Sequence, residues 1–401
     1  MRLPEYPEYV EKIISRFADA GEDAYIVGGC LRDFLLGKTP DDFDMATSAL
    51  PEKTMEIFKN ERLLTNGLKH GTVTVIISSH PVEITTFRID GSYTDSRHPD
   101  AVRFTSKIEE DLSRRDFTVN AMAYNRKLGF VDPFGGQADL ERRILRAVGD
   151  PERRFDEDAL RIMRAFRFAA QLCFDIDAAT LDGAHKKRGG LANIARERIG
   201  VEFVKLITSP SPAESLVKMI ELKIMPYVCK GINLTSAILN NIEKMPRTPE
   251  SRLGFLLSAT ESDLARAILR ELRVSTKIQS GALAVAEGAR MSVDSESAAG
   301  KFAARFGARA FDAAYSSELL GNSPVGTAKT IEKWSSLPHT LGDLAIGGAD
   351  VKALGAVGKE IGEILEYLLD AVISDPNMNT EKTLIDLAEK QIIKVRESEH
   401  K

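Results

Sequence analysis

The sequence predicts an α+β chain, with a small mixed-sheet head of about 145 residues followed by an all-helical remainder. Three observations lead there. Short β-branched runs crowd in before residue 90, whereas strand signals nearly vanish beyond about Lys107. From that point helical segments follow one another, broken at Gly149-Asp150-Pro151, Gly189-Gly190, Ser209-Pro210, Pro226, Gly300, Pro338 and Pro376. Finally, 401 residues exceed one small module and imply two to four packed units.

The elements can be justified in order. Residues 4–20 place Val10, Ile13, Ile14, Phe17 and Ala18 at helical spacing. AYIVGG is a short strand ending in two glycines, and LRDFLLG a helix closed by Gly37. DDFDMATS alternates acidic and apolar residues as a strand does, and PEKTMEIFKN opens a helix with proline in its first turn. TVTVIISS and VEITTFR are two further strands, read as a hairpin around His80-Pro81. Residues 88–105, polar and rich in paired charges, read as a long loop of the kind that often carries function. No fixed-period repeat or low-complexity tract is present.

Composition narrows the function. Hydrophobic residues make up 43% and charged residues 28%, which excludes general disorder. Cys30, Cys173 and Cys229 are too few and scattered for a disulfide framework or a zinc site, so a reduced cytoplasmic setting is expected. The opening MRLPEYPEYVEK lacks the pattern of a secretory signal, and no apolar run approaches the roughly 20 residues that span a bilayer. The net charge of −5 argues against nucleic acid, but it is unevenly spread. Residues 341–401 hold 7 Lys+Arg against 12 Asp+Glu, while residues 142–167 hold 8 Arg against 5 acids. A basic strip on an acidic protein suits a phosphate-bearing substrate.

Four constellations carry chemistry. In YIVGGCLRD, residues 25–33, a strand runs through Gly28-Gly29 into a helix, so exposed N–H groups can meet a phosphate, with Arg32 near enough to clamp it. A plain Gly-Gly turn is the competing reading, and the spacing fits neither dinucleotide nor P-loop fingerprints. Asp42 and Asp44 stand at i and i+2, on one face of a strand. Two such carboxylates repel unless a cation lies between them, and magnesium, a hard ion that also bridges phosphates, is the natural choice. Otherwise they are solvated acids on an edge strand. Glu83 is either a third carboxylate for the same ion or a solvent-facing strand residue. In EEDLSRRDFTVNAMAYN, Asp116 is placed as a helix cap, and Arg115 either reaches a triphosphate or lies on a solvated face.

The fourth constellation is RRFDEDALRIMRAFRFAAQL, residues 153–172. On one helix Asp158 and Arg161 would be neighbours, with Arg164 and Arg167 extending the row. They either form an intrahelical ion pair or read a base. A carboxylate only accepts hydrogen bonds and a guanidinium only donates them. Cytosine and adenine both present an amine donor beside a ring-nitrogen acceptor, matching the pair. Uracil and guanine present the reverse, and each mismatch costs roughly 1–3 kcal/mol.

Taken in order, VGGCLRD, DDFDMATS, DGSYTDSR, EEDLSRRDFTVNAMA, DPFGGQADL, EDALRIMRAFRFAAQL and ARERIGVEF resemble the bacterial and eukaryotic (class II) tRNA nucleotidyltransferases, the CCA-adding enzymes, relatives of bacterial poly(A) polymerases. The matching stretches run over about residues 24–205. The resemblance implies a catalytic nucleotidyltransferase head at 1–147, a nucleotide-reading helical neck at 148–205, a helical body at 206–290 and a helical tRNA-binding tail at 291–401, the helical parts forming an elongated array. It implies that Asp42 and Asp44 are catalytic and bind Mg2+. Gly28, Gly29, Arg32 and Arg115 would then contact the triphosphate, and Asp158, Arg161, Arg164 and Arg167 the nucleotide. It further implies a flexible loop bearing Asp95 and Arg97, and a monomer or homodimer that engages the 3′ end and acceptor arm of tRNA together with CTP and ATP.

The sequence departs from the family pattern at Cys30, expected to be a buried thiol, and in the loop at Asp90, Asp95 and Arg97-His98, where the family often has Glu first and two Arg. With no His cluster, no appended phosphohydrolase domain is expected. In the family the loop after the third strand is linked to A addition and is shortened in CC-only enzymes. The length of 88–105 therefore favours full CCA addition over A-only or CC-only activity, and the acidic tail disfavours a poly(A) polymerase. A small-molecule nucleotidyltransferase would not need the long helical part, and an inactive RNA-binding scaffold would not need intact Asp42 and Asp44.

Overall fold

The structure is a computed structural model that describes residues 6–40, 42–90, 102–334 and 336–399. The chain divides into two compact units, Met1–Val228 and Cys229–Lys401.

The first unit is built on a seven-stranded mixed sheet with strand order β3-β4-β5-β2-β1-β8-β9. The strands are β1 (Ala24–Val27), β2 (Asp44–Thr47), β3 (Arg62–Leu64), β4 (Thr72–Ile77), β5 (His80–Thr86), β8 (Ala123–Asn125) and β9 (Gly129–Val131). All neighbours are antiparallel except β2 and β5, which run parallel with Asp44 opposite Glu83. β1 is buried at every residue because both its faces are covered. On one side Val10, Ile13, Ile14 and Phe17 of helix α1 (Glu8–Asp19) are buried, with Phe17 edge-on to Phe58. A second cluster joins Tyr25, Val27 and Ala46 to Phe87, Ile108 and Leu112. β4 alternates half-buried and buried residues, as a strand with one face on the core must.

Several expectations need correction. The β4–β5 turn is made by Ser78-Ser79, both at positive φ (49° and 65°), rather than around His80-Pro81, which begin β5. That is the conformation a two-residue hairpin requires, although serine seldom signals it. The ends of the expected 88–105 loop pair as a two-stranded ribbon, β6 (Arg88–Asp90) with β7 (Val102–Phe104). Asp95, Arg97 and His98 lie outside the described residues. Strands β8 and β9 fall beyond Lys107, where strand signals nearly vanish in the sequence; each has only three residues, too few to show a period.

The remaining helices of this unit that frame the site are α2 (Gly29–Leu35), α3 (Pro51–Ile57), α4 (Ile108–Ser113), α5 (Gly136–Arg142), α6 (Pro151–Glu157), α7 (Leu160–Leu172), α8 (Ala178–Lys187) and α9 (Arg196–Ile207). α7 is the most deeply set of them: apart from Arg164 and Gln171 every residue is buried, because α6, α9 and the helix at Pro212–Glu221 pack around it. The second unit is helical throughout its described residues. Among its described residues one apolar cluster gathers around Phe302, Phe306, Ile331 and Trp334 and another around Val351, Ile364, Leu368 and Leu384. Among the described residues no helix is long and apolar enough to cross a membrane.

Candidate active site

A cleft of about 460 Å³ in the first unit is lined by Gly28, Gly29, Arg32, Asp44 and Arg115, and by Asp158, Arg161, Arg164 and Arg167 from the α6–α7 side. Nine of the ten predicted site residues that are described thus share one cavity; the tenth, Asp42, is not among its lining residues. Gly28 leaves β1 at φ 74° and ψ −136°, which favours glycine. A Cβ there would stand 3.1 Å from Arg115 Nη1, so the bare backbone lets that guanidinium lie over the turn. Arg32, one turn into α2, is buried. Its fork is held by Asp33 (Nε–Oδ1 2.9 Å, Nη2–Oδ2 3.0 Å) and by Asn120 Oδ1 at 2.7 Å.

The two aspartates are not both on a strand. Asp44 begins β2, while Asp42 sits in the bend before it. Alternation nevertheless holds: Asp42 and Asp44 are exposed, Phe43 and Met45 buried. Asp44 opens into the cleft but has protein packed closely about it. This crowding, then the negative charges of Asp42 and Glu83, push its pKa up to about 6 against the pull of Arg115. Cys30, expected as a buried thiol, is one: it is 4% exposed, lies 3.1 Å from the Val27 carbonyl, and burial pushes it up to about 11.

Behind the cleft, fully buried Asp111 accepts from Arg114 Nε (2.9 Å) and Arg115 Nη2 (3.2 Å). Burial alone would raise its pKa, but the two guanidiniums hold it below the ordinary carboxylate range. Asp116 is not the helix cap expected, because α4 has already ended at Ser113 and the next short turn begins at Thr118. Its Oδ1 instead accepts from the Phe117 N–H (2.9 Å) and Asn120 Nδ2 (3.1 Å), and its Oδ2 from Arg164 Nε (2.8 Å) and Nη2 (2.5 Å). Burial again opposes ionisation, yet the Arg164 charge and these hydrogen bonds bring the carboxyl to about 2.

Asp158 and Arg161 do not share a helix face. The chain leaves α6 at Asp158 (φ −148°, ψ 103°), whose Oδ1 accepts the Leu160 N–H at 3.0 Å and so starts α7. The intrahelical ion pair that was the alternative to base reading does not form. Arg161 bonds Glu157 Oε2 (2.8 Å) and the carbonyls of Arg154 (3.1 Å) and Arg114 (3.0 Å), while Asp158 Oδ2 accepts from Arg198 Nη2 at 3.3 Å. These bonds occupy both Nη1 hydrogens and one on Nη2, leaving Arg161 Nε–H and one Nη2 hydrogen for a ligand. Arg167 is tied to Glu202 and to Gln171 Oε1 at 2.9 Å; burial lowers its pKa against the pull of Glu202, with Arg164 adding to the fall.

One ring organises this cationic wall. The guanidinium carbons of Arg167, Arg32 and Arg164 lie 3.7, 5.2 and 5.3 Å from the centroid of Phe168, which is itself braced edge-on by Phe117 at 5.8 Å. The sequence reading assigned no role to Phe168, Asn120, Glu157, Arg198 or Glu202. For two of them a signal existed, since Arg198 and Glu202 sit at i and i+4 in ARERIGVEF on one face of α9.

Among the described residues no three His, Cys, Asp or Glu side chains close into a metal cage. The donors present fit a different kind of site. Asp42, Asp44 and Glu83 crowd like charges, as the raised Asp44 shows, and all offer oxygen. Magnesium takes one or two carboxylates and completes its shell from water and substrate phosphates.

Residues 24–146 match the poly A polymerase head domain family, and residues 173–234 match the family described as the probable RNA and SrmB-binding site of polymerase A. The CCA-adding enzyme of Lactiplantibacillus plantarum is 34% identical over 397 residues, 96% of this chain and 97% of that one. That of Geobacillus stearothermophilus is 36% identical over 373 residues, 90% of each. The crystal structure of the Bacillus stearothermophilus CCA-adding enzyme in complex with CTP superposes with a TM-score of 0.81 at 32% identity, covering 98% of this chain and all of that one. Similarity of this degree, sustained over nine-tenths or more of the chain, places it in the CCA-adding enzyme family.

Proposed function

We propose that the protein adds C, C and A in turn to the 3′ end of tRNA in the cytoplasm, without a nucleic-acid template, consuming CTP and ATP and releasing pyrophosphate. The observation that carries this is the single cleft in which a glycine turn, Asp44 and the Asp158–Arg161 region converge. A small-molecule nucleotidyltransferase would need the head but neither the long helical remainder nor an Asp158–Arg161 reader.

In this reading Gly28, Gly29, Arg32 and Arg115 hold the triphosphate, through backbone N–H groups and guanidinium forks. Asp158 accepts from the exocyclic amine of cytosine or adenine, and Arg161 donates from its remaining N–H groups to the ring nitrogen. Arg164 and Arg167 flank the nucleotide. Asp42 and Asp44 would hold magnesium, with Glu83 a candidate third ligand. When bound, one such ion would lower the pKa of the attacking hydroxyl and a second would neutralise charge on the leaving group. The 3′ oxygen bonds to the α-phosphorus, the bond to the bridging oxygen breaks, and pyrophosphate departs with its electrons; the hydroxyl proton goes to solvent. The protein contributes positioning and fixed charge.

The test is incubation with tRNA lacking its 3′ CCA and with each triphosphate separately. Incorporation of C, then of A only after two C, is expected. Incorporation of A but never C would replace the reading with an A-only enzyme.

A further inference from the structure

Strands β4 and β5 carry a polar face beside the nucleotide cleft. In β4 Thr72 and Thr74 are half-buried while Val73 and Val75 are buried behind them; in β5 Glu83 is exposed and Thr85 half-buried, with Val82 and Ile84 buried. The register sets Thr74 opposite Glu83 and Glu83 opposite Asp44, then in the next row Thr72 opposite Thr85 and Thr85 opposite Ala46. Residues two apart on a strand share a face, so Asp44, Glu83, Thr85, Thr72 and Thr74 stand on one side of the sheet. The Oγ1 atoms of Thr72 and Thr85 are 2.9 Å apart, and a Cβ at Gly67 would come within 2.9 Å of the Thr72 Cβ, so the hydroxyl pair is closely held. Whichever hydroxyl donates within the pair, one hydroxyl hydrogen remains for a ligand.

This face opens into a pocket of its own, about 200 Å³ in volume. Glu83 and Thr85 line it together with Asp44, Arg114 and Arg115, and the last three also line the nucleotide cleft. The pocket is smaller than the roughly 300–1,000 Å³ that a whole small molecule occupies, which suits a fragment such as one sugar ring. Strand order gives the direction of approach. β2 lies between β5 and β1, and the Gly28-Gly29 turn leaves the end of β1. The glycine turn and the threonines therefore flank Asp44 from opposite sides. In an in-line displacement the attacking oxygen and the departing pyrophosphate also lie on opposite sides of the reacting phosphorus. With the triphosphate on the glycine side, the attacking hydroxyl comes from the β5 side.

We propose that this second pocket seats the terminal ribose of the RNA being extended, with the Thr85 hydroxyl, braced by Thr72, bonded to the 2′-hydroxyl of that sugar. This rests on the transferase reading above and adds a sugar-reading residue to it. The terminal base changes from one addition to the next, whereas the ribose does not, so a reader aimed at the sugar serves every step. A 2′-hydroxyl both donates and accepts, as threonine does, and it is the group that tells RNA from DNA. Arg114, anchored on Asp111 through Nε at 2.9 Å, brings positive charge to the same pocket, matching the phosphate that joins the terminal sugar to the chain.

The experiment uses two tRNAs that end in CC, one all-ribose and one with a 2′-deoxy terminal nucleotide, both keeping the 3′-hydroxyl. Kd for each is measured by fluorescence anisotropy in magnesium buffer with full-length wild-type protein, Thr85→Val and Thr85→Ser, alongside thermal unfolding and incorporation of A from ATP. Wild type and Thr85→Ser should bind the ribose-ended tRNA about fivefold more tightly than the deoxy-ended one, the scale of one neutral hydrogen bond. Thr85→Val keeps the shape and drops the hydroxyl. It should bind both tRNAs with the weaker affinity, because the two losses are of one contact and do not add. A threonine pair that only steadies the sheet would change the melting temperature and leave the ribose preference of Thr85→Val intact, which would overturn the proposal. Equal affinities for the two tRNAs in wild type would overturn it as well. Wild-type protein that prefers the ribose end but incorporates nothing would instead overturn the transferase reading and leave the sugar seat standing.

Discussion

Phe168→Leu tests whether the cationic wall is organised by a ring face rather than by carboxylates alone. The substitution keeps an apolar side chain but removes the quadrupole that three guanidiniums share. Arg167, buried and 3.7 Å from the centroid, is the strong contact, at about 2 kcal/mol; Arg32 and Arg164, beyond 5 Å, contribute about 0.5–1 kcal/mol each. Losing all three, with the Phe117 edge contact, amounts to about 3.5–5.5 kcal/mol. Part of that appears as lower stability, and part as arginines no longer poised for phosphate. A share of about 1.4 kcal/mol in binding is tenfold in affinity. The assay is thermal unfolding alongside steady-state kinetics. Phe168→Leu should unfold earlier and show KM for CTP and ATP raised together about tenfold, with preference over UTP and GTP retained, because Asp158 and Arg161 are untouched. Phe168→Tyr, which keeps the ring, should recover both. Wild-type KM in Phe168→Leu, or no recovery in Phe168→Tyr, would show that the acids alone align the arginines.

Further outcomes are expected. Asp44→Asn should abolish nucleotide incorporation yet raise the melting temperature in metal-free buffer, since it removes an ionised group that Asp42 and Glu83 repel; a lowered melting temperature would contradict the crowding. Arg161→Ala should erode selection of CTP and ATP over UTP and GTP in competition assays; intact discrimination would refute side-chain base reading. Asp116 titrates at about 2 in the fold against an ordinary 3.8, so it contributes about 2 kcal/mol that is fully present above pH 4 and lost as pH falls toward 2. Acid unfolding of Asp116→Asn followed by circular dichroism should lack this component, and an unchanged acid limb would deny it.

Legibility from sequence followed how local each signal was. The Gly28-Gly29 turn, the acidic pair and the arginine row could be read because each is a spacing within a few residues. What could not be read was which partner each charge takes across the fold. Asp116 sat in the sequence like a cap, but its real partner, Arg164, lies 48 residues on. Arg32 is oriented by Asn120, 88 residues away. The three-residue strands β8 and β9 are held by pairing with β1 rather than by any pattern of their own. Phe168 looked like one apolar position among many in α7, and its role exists only because α2 and α7 bring Arg32 to the same ring.

The separation of Asp158 from Arg161 strengthens the base-reading hypothesis that an intrahelical pair would have weakened. Had the two bonded each other, a base would need to break that bond before being read. Instead each is restrained by a third party, Asp158 by Arg198 and the Leu160 N–H, Arg161 by Glu157 and two carbonyls. Acceptor and donor thereby line one cleft without pairing with each other, as a template must. Arg198→Ala removes the restraint on the acceptor without touching the donor. It should lower discrimination between CTP and UTP several-fold while leaving KM for the triphosphate moiety, read with pyrophosphate as inhibitor, unchanged. If discrimination stayed intact, the Leu160 N–H alone would suffice to aim Asp158. If pyrophosphate affinity fell as well, Arg198 would belong to the phosphate site, and the two restraints would not be separable functions.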